Sequence, residues 1–273
     1  MAVAHVNAQT FQRLDPRAYL ERFLAEQFRP DGRVPNEWRD LHVHVASIST
    51  ADGSALVRLG DTTVVCGVKA EIAEPVLERP TQGFLVPNID LPAMCAPRFK
   101  PGPPSEEAQV LSDRLASTLT AAGILPLSEL CIHPERAAWV LYVDATCISY
   151  DGNVFDAALI AMVAALKNTT LPKATYNEET GLTTCTRKIR TPLPLRRLPA
   201  SYSFGVFDGT TVLADPTAFE EPLLETSISI VLDERGAILS ATQLGIADKD
   251  TVSLCVGSAK ERHDVRGRKI YSF

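Results

Sequence analysis

Tyr150-Asp151-Gly152-Asn153 is the part of this chain whose residue types and setting come nearest to a ligand site. A β-rich run, Trp139 to Ile148, leads into it, and a strongly apolar stretch reaching Leu166 follows. The pattern predicts a strand, a tight turn and a buried helix. A turn that feeds a helix N-terminus leaves backbone N–H groups free, and such groups cradle phosphate. This turn carries Asp151 and no Arg or Lys, so its geometry suits an anion while its charge opposes one.

Other residues invite chemistry. Asp215, Glu220 and Glu221 could act as acids or bases; the preferred reading is a turn edge of solvated carboxylates. His42 and His44 share one strand face by period-two spacing, but no third ligand stands near, and a metal needs three or four. No metal or cofactor is expected. Arg98 and Lys100 form a close basic pair on a Pro-rich loop, read as an RNA backbone contact or as plain surface charge. Two further clusters are Arg187, Lys188, Arg190, Arg196, Arg197 and Arg262, Arg266, Arg268, Lys269. Neither has the interleaved aromatics of a base-stacking platform, so a rim that meets a partner protein is preferred.

The elements that must position these residues can be read in order. Asp15-Pro16 opens a first helix with an apolar stripe at Tyr19, Leu20, Phe23, Leu24 and Phe28. Runs at Leu41 to Ser49, Ala55 to Leu59 and Thr62 to Ile72 read as an antiparallel meander, and Phe84 to Leu91 as a further strand. Ser105 caps a helix to about Leu119, with Glu106 and Glu107 in its first turn. Leu171 to Leu198 reads as an irregular, basic connector with a short hairpin, and as the boundary between two halves. Beyond it, strands are predicted at Tyr202 to Phe207, Thr211 to Ala214, Ser227 to Leu232 and Ala237 to Thr242, then a helix from Lys249 to Arg262. Two halves of strands followed by helices imply an α+β fold with internal duplication.

The bulk numbers bound the function. The chain has 273 residues, 45% hydrophobic and 22% charged, with a net charge of −6. That is globular composition, and its sign gives no general attraction for nucleic acid. The six cysteines have no C-x-x-C spacing and read as reduced thiols. No apolar leader and no run of about 18 apolar residues appears, so no membrane role is expected and cytosol or nucleus is.

Four segments in register resemble the RNase PH family: Arg29-Pro30-Asp31-Gly32-Arg33; Gly53-Ser54-Ala55 with Gly60-Asp61-Thr62-Thr63-Val64-Val65-Cys66-Gly67-Val68-Lys69; Tyr150-Asp151-Gly152-Asn153 leading into Asp156-Ala157-Ala158; and Leu213-Ala214-Asp215-Pro216-Thr217 with Glu220-Glu221. They cover the chain from about Tyr19 to Val265. Within the family the chain resembles the ring subunits of the eukaryotic RNA exosome, and Asn88-Ile89-Asp90-Leu91-Pro92 narrows the likeness to one of them. The resemblance implies one RNase PH-like domain over residues 1–273, of the ribosomal protein S5 domain 2-like kind, with halves at about 15–170 and about 200–266. Active members of the family are phosphorolytic 3′ exoribonucleases that hold phosphate with an arginine-bearing turn where Gly152-Asn153-Val154 stand here. They also carry arginines along the helix after the Pro-rich loop, where Asp113 and Ser117 are aligned.

The family's acidic pair falls at Asp215 and Glu221. The implied reading is a non-catalytic structural subunit, with Asp215 and Glu221 as acidic remnants and Arg98 and Lys100 as RNA contacts. Its implied role is in 3′-to-5′ RNA processing and degradation, including ribosomal RNA precursors and mRNA turnover. Implied partners are other RNase PH-like ring subunits, RNA-binding cap subunits, a processive ribonuclease and single-stranded RNA in the ring channel. Implied sites are nucleus, nucleolus and cytoplasm. The alternative is an active phosphate-dependent 3′-to-5′ exoribonuclease.

Overall fold

A computed structural model describes residues 8–270; of these, the side chains of Arg187 and of residues 266–270 lie outside the described set. Two short helices open the chain, α1 (Ala8–Leu14) and α2 (Pro16–Ala25). Asp15 caps α2 by accepting from the Ala18 N–H, and Pro16 fills the first helical position. Strands β1 (Leu41–Val45), β2 (Gly53–Leu59) and β3 (Thr62–Ala73) form the expected meander. β1 stops short of Ser49 because Ala46 turns left-handed at φ +58° and donates its N–H to Ser54.

β4 (Phe84–Asp90) precedes the Pro-rich loop and α3 (Glu106–Ala122), which Ser105 caps. β5 (Cys131–His133) and the long β6 (Ala137–Ser149) follow. The first sheet runs in the order β1-β2-β3-β6-β4, with β5 paired to β6. Only β4 is parallel to its neighbour, β6. β6 leads into the Tyr150–Asn153 turn and then α4 (Val154–Asn168).

Every residue of α4 from Val154 to Leu166 is buried. A helix apolar all round must be enclosed, and α4 is: it packs on β2 and β3 on one side and on the later strand at Ala200–Phe207 on the other.

The segment after α4 departs from the expected irregular connector. β7 (Thr170–Asn177) and β8 (Leu182–Pro192) form a two-stranded hairpin that spans most of it. Pro172 falls beside a register shift in the pairing, where a missing donor is tolerated. Only the stretch from Leu193 to Pro199 is free of regular structure. β9 (Ala200–Phe207), β10 (Thr211–Ala214), β11 (Thr226–Leu232) and β12 (Ile238–Leu244) then form an antiparallel sheet in the order β10-β9-β11-β12, followed by α5 (Lys249–Ile270).

β9 is buried along its whole length, and α4 packs against it. Trp38 stands edge-on to Tyr202 and Phe204, tying the stretch before β1 to the second sheet. No helix among the described residues is long and apolar enough to cross a membrane.

Candidate functional site

β6, the first turn of α4 and the 215–221 segment after β10 converge at one place. Gly152 makes the turn possible: it sits at φ +78°, and a Cβ there would lie 2.5 Å from the Ala218 nitrogen. Asn153 follows at φ +51° and Asp215 at φ +50°, left-handed positions that Asn and Asp tolerate better than most residues. The two side chains meet, with Asn153 Nδ2 donating to Asp215 Oδ1 at 2.7 Å. The same amide donates to Asp156 at 2.9 Å. Asp156 is buried in α4 and also accepts from the backbone and hydroxyl of Ser203. Burial pushes its carboxyl up, while Ser201, Ser203 and Asn153 pull the other way.

Asp215 is fully buried, and Arg39 grips it by two bonds, Nε to Oδ2 at 2.8 Å and Nη2 to Oδ1 at 2.7 Å. Arg39 also donates its backbone N–H to Oδ2, and Nη1 to the Asp151 carbonyl at 2.6 Å. Burial alone would raise the Asp215 carboxyl, but Arg39, Asn153 and Arg33 together hold it below the usual carboxylate range. Beside it, Arg29 makes a bidentate pair with Glu220, with both side chains buried. Thr62 closes the turn by donating its hydroxyl to the Gly152 carbonyl at 2.7 Å.

These facts correct the reading of Asp215 and Glu220 as solvated carboxylates on a turn edge. Both are interior, because two buried arginines from the 29–39 segment need acids. Glu221 is partly buried. It accepts from the Asn153 backbone N–H at 2.8 Å and from the Tyr150 hydroxyl at 2.6 Å. The first free amide at the start of α4 is thus occupied by a carboxylate of the chain itself. Burial pushes Glu221 above the usual range against the pull of Tyr150 and Asn153. Burial beside Glu221 also pushes the Tyr150 hydroxyl far up, so it stays a neutral donor.

A cleft of about 750 Å³ opens beside this turn, walled by α3, the start of α4 and β12. Its cations are Arg98 and Arg114. Arg98 does not stand freely beside Lys100. It pairs with Glu107 at 2.7 Å and lies over the Tyr150 ring at 4.3 Å. Lys100 is exposed further along the loop. Placing Asp113 and Ser117 at the family's arginine positions overlooks Arg114 between them. Asp113 and Ser117 are exposed, while Arg114 turns to the cleft with its guanidinium 3.8 Å from the Phe155 ring centre. Helical spacing carries the signal: Glu107, Val110, Leu111 and Arg114 recur at i, i+3, i+4 and i+7 and all line the cleft. Arg29 and Arg39 give less warning. Arg29 lies inside a recognised motif without an assigned role, and Arg39 in none.

The remaining candidates lie apart. His42 and His44 are exposed on one face of β1, and the described residues contain no group of three or more metal-ligating side chains. Arg190 pairs with Asp52 at 2.7 Å, and Arg196 and Arg197 are exposed. Arg187, Arg266, Arg268 and Lys269 lie outside the residues whose side chains are described. The six cysteines are free thiols.

An α+β pair of sheets around one enclosed helix, with an acid-bearing loop locked onto a glycine turn, defines an RNase PH-type protein, and the chain belongs to the RNase PH family. A model described as "3′ exoribonuclease family, domain 1" matches residues 37–172, and one described as domain 2 of that family matches residues 197–262. The chain is 42% identical to the exosome complex component rrp43 of Schizosaccharomyces pombe, over 86% of this chain and 87% of that protein. It is 37% identical to the exosome complex component Rrp42 of Thermococcus kodakarensis, over 85% and 84% respectively. Among solved structures it resembles an Archaeoglobus fulgidus exosome with RNA bound to the active site, with a TM-score of 0.81 and 30% identity over 92% of this chain and 96% of that one.

Proposed function

We propose that the chain is a non-catalytic structural subunit of an exosome ring, supporting 3′-to-5′ processing and degradation of RNA. One observation carries the non-catalytic part: the Glu221 carboxylate rests on the Asn153 N–H at the start of α4, where an incoming anion would need that amide. Phosphorolysis requires phosphate fixed beside the scissile diester, with cations to offset developing charge. Here the turn supplies no cation, Arg39 is consumed by Asp215, and a negative charge is built into the cradle.

The likeness to exosome components along most of the chain supports ring membership. The partners then follow as RNase PH-like neighbours, RNA-binding cap subunits, a processive ribonuclease and single-stranded RNA passing the channel. Nucleus, nucleolus and cytoplasm are the corresponding locations. Residues 1–273 act as one RNase PH-like domain, with halves at about 15–170 and about 200–266 joined across α4. Asp215 and Glu221 serve structure, as remnants of an acidic pair, and Arg98 and Lys100 lie toward the RNA path.

Arg114, facing the cleft near these acids, favours the rival reading of an active phosphate-dependent exoribonuclease. A phosphate-dependent shortening assay on the chain and on its reconstituted heterodimer decides between them. No release of nucleoside diphosphates is expected. Release that scales with phosphate and disappears in Arg114→Ala would establish the enzyme.

A further inference from the structure

The cleft beside the α4 turn holds one cation without an acid. Among the described residues Arg114 makes no ion pair; it lies on Phe155, half-buried, with Asp156 as a more distant charge. A half-desolvated guanidinium lacking a carboxylate is poised to take one, and its planar fork suits a carboxylate well. The two walls add a second demand. Val110 on α3 and Leu244 on β12 face the same cleft from opposite sides, each 60% exposed. β12 is the outermost strand of its sheet, so this wall borders an open edge.

Charge selects the kind of occupant. Glu106, Glu107 and Glu221 also line the cleft, and Arg98 is already paired with Glu107. With Arg98 and Glu107 committed to each other, Glu106 and Glu221 remain against Arg114, a net negative balance that disfavours a polyanion such as RNA inside the cleft itself. It leaves room for a single carboxylate flanked by apolar groups. Resting on the ring-subunit reading, we propose that this cleft seats a segment of a neighbouring protein subunit, whose one Asp or Glu pairs with Arg114 while apolar residues on either side cover Val110 and Leu244. The space that relatives devote to a reaction would then serve as a socket for assembly, with Arg114 fixing the register of the inserted segment.

The full chain, co-expressed with its ring neighbours and carrying Val110→p-benzoylphenylalanine, tests this. The assembled complex is isolated by size, irradiated, and its crosslinked peptides are sequenced. The expected product joins position 110 to one segment of a ring subunit that contains an acidic residue. Arg114→Ala in the same chain should cut that product by about tenfold or more while the ring still forms, as expected when one partner of a desolvated charge pair is removed. Arg114→Lys should restore part of it. An intact ring whose position 110 crosslinks to RNA, crosslinks to nothing, or crosslinks equally well without Arg114 overturns the socket alone. A chain that never enters a ring overturns the proposed function and the socket together.

Discussion

The Glu221 carboxylate and the Asn153 backbone N–H lie 2.8 Å apart across the mouth of the turn that starts α4. A helix start favours negative charge, and here the chain supplies that charge itself. The same carboxylate takes the Tyr150 hydroxyl, so strand end, helix start and the 215–221 segment are held at one point.

Glu221 should make stability depend on pH in a definite direction. Its carboxyl titrates above the usual range in the folded chain because burial disfavours the charged form. A raised folded value means a contribution that is full below the unfolded value of about 4.3 and is lost as pH rises through the folded one. Glu221→Gln removes that dependence and keeps an acceptor for the Asn153 N–H. Thermal melts of the variant should therefore gain on the native chain as pH rises, and RNA degradation by the assembled ring should be unchanged.

Asp215 should behave in the opposite sense. Its carboxyl lies below the usual range despite burial, owing to Arg39, Asn153 and Arg33. Its contribution is full above the unfolded value of about 3.9 and is lost as pH falls through the folded one. Asp215→Asn should flatten the acid limb of the stability profile. Arg39→Ala, which strands a buried carboxylate, should cost about 3–5 kcal/mol in denaturant unfolding. Loss of function in either variant should follow loss of fold, seen as coincident loss of secondary structure.

Two glycines share a left-handed backbone and differ in what surrounds them. A methyl group added at Gly123, where φ is +60°, would meet nothing within 4 Å, whereas one added at Gly152, where φ is +78°, would lie 2.5 Å from the Ala218 nitrogen. Gly123→Ala should cost about 1–2 kcal/mol, the backbone penalty alone. Gly152→Ala should cost clearly more, because the 217–218 backbone must move. Equal melting temperatures for the two variants would show that the close approach carries no weight.

Lys100→Glu should weaken binding of the assembled ring to single-stranded RNA at low salt. One lost phosphate contact lowers the log–log salt slope by about 0.7. Arg98→Glu is a less clean probe, since Arg98 also braces Tyr150 and Glu107. An unaltered slope in Lys100→Glu would mark this residue as surface charge only.

Local pattern makes the elements legible. Alternation exposes the meander, apolarity all round exposes the enclosed α4, and Asp15 and Ser105 announce their helices. The β7–β8 hairpin is longer than its sequence suggests because its residues are polar and mostly exposed, so no hydrophobic alternation marks it. The site is legible only in part. The glycine turn and the acids stand out by type, but whether Asp215 lies in water or in the interior depends on Arg39, a residue distant in sequence. Helical phase, which places Arg114 rather than Asp113 on the cleft side, is readable in the spacing but is not apparent from residue type alone.

The buried ion pairs also set an order of events during synthesis. Arg39 and Asp215 are 176 positions apart, and Arg29 and Glu220 are 191 apart. A nascent chain emerging at about 5–20 residues per second carries both arginines for many seconds before either acid leaves the ribosome. Through that interval two cations destined for the interior stay in water, and once Asn168 has emerged the first sheet and α4 still lack the second sheet that covers them. The final clasp can close only after Glu220 has emerged, which makes the incomplete chain a natural client for chaperones.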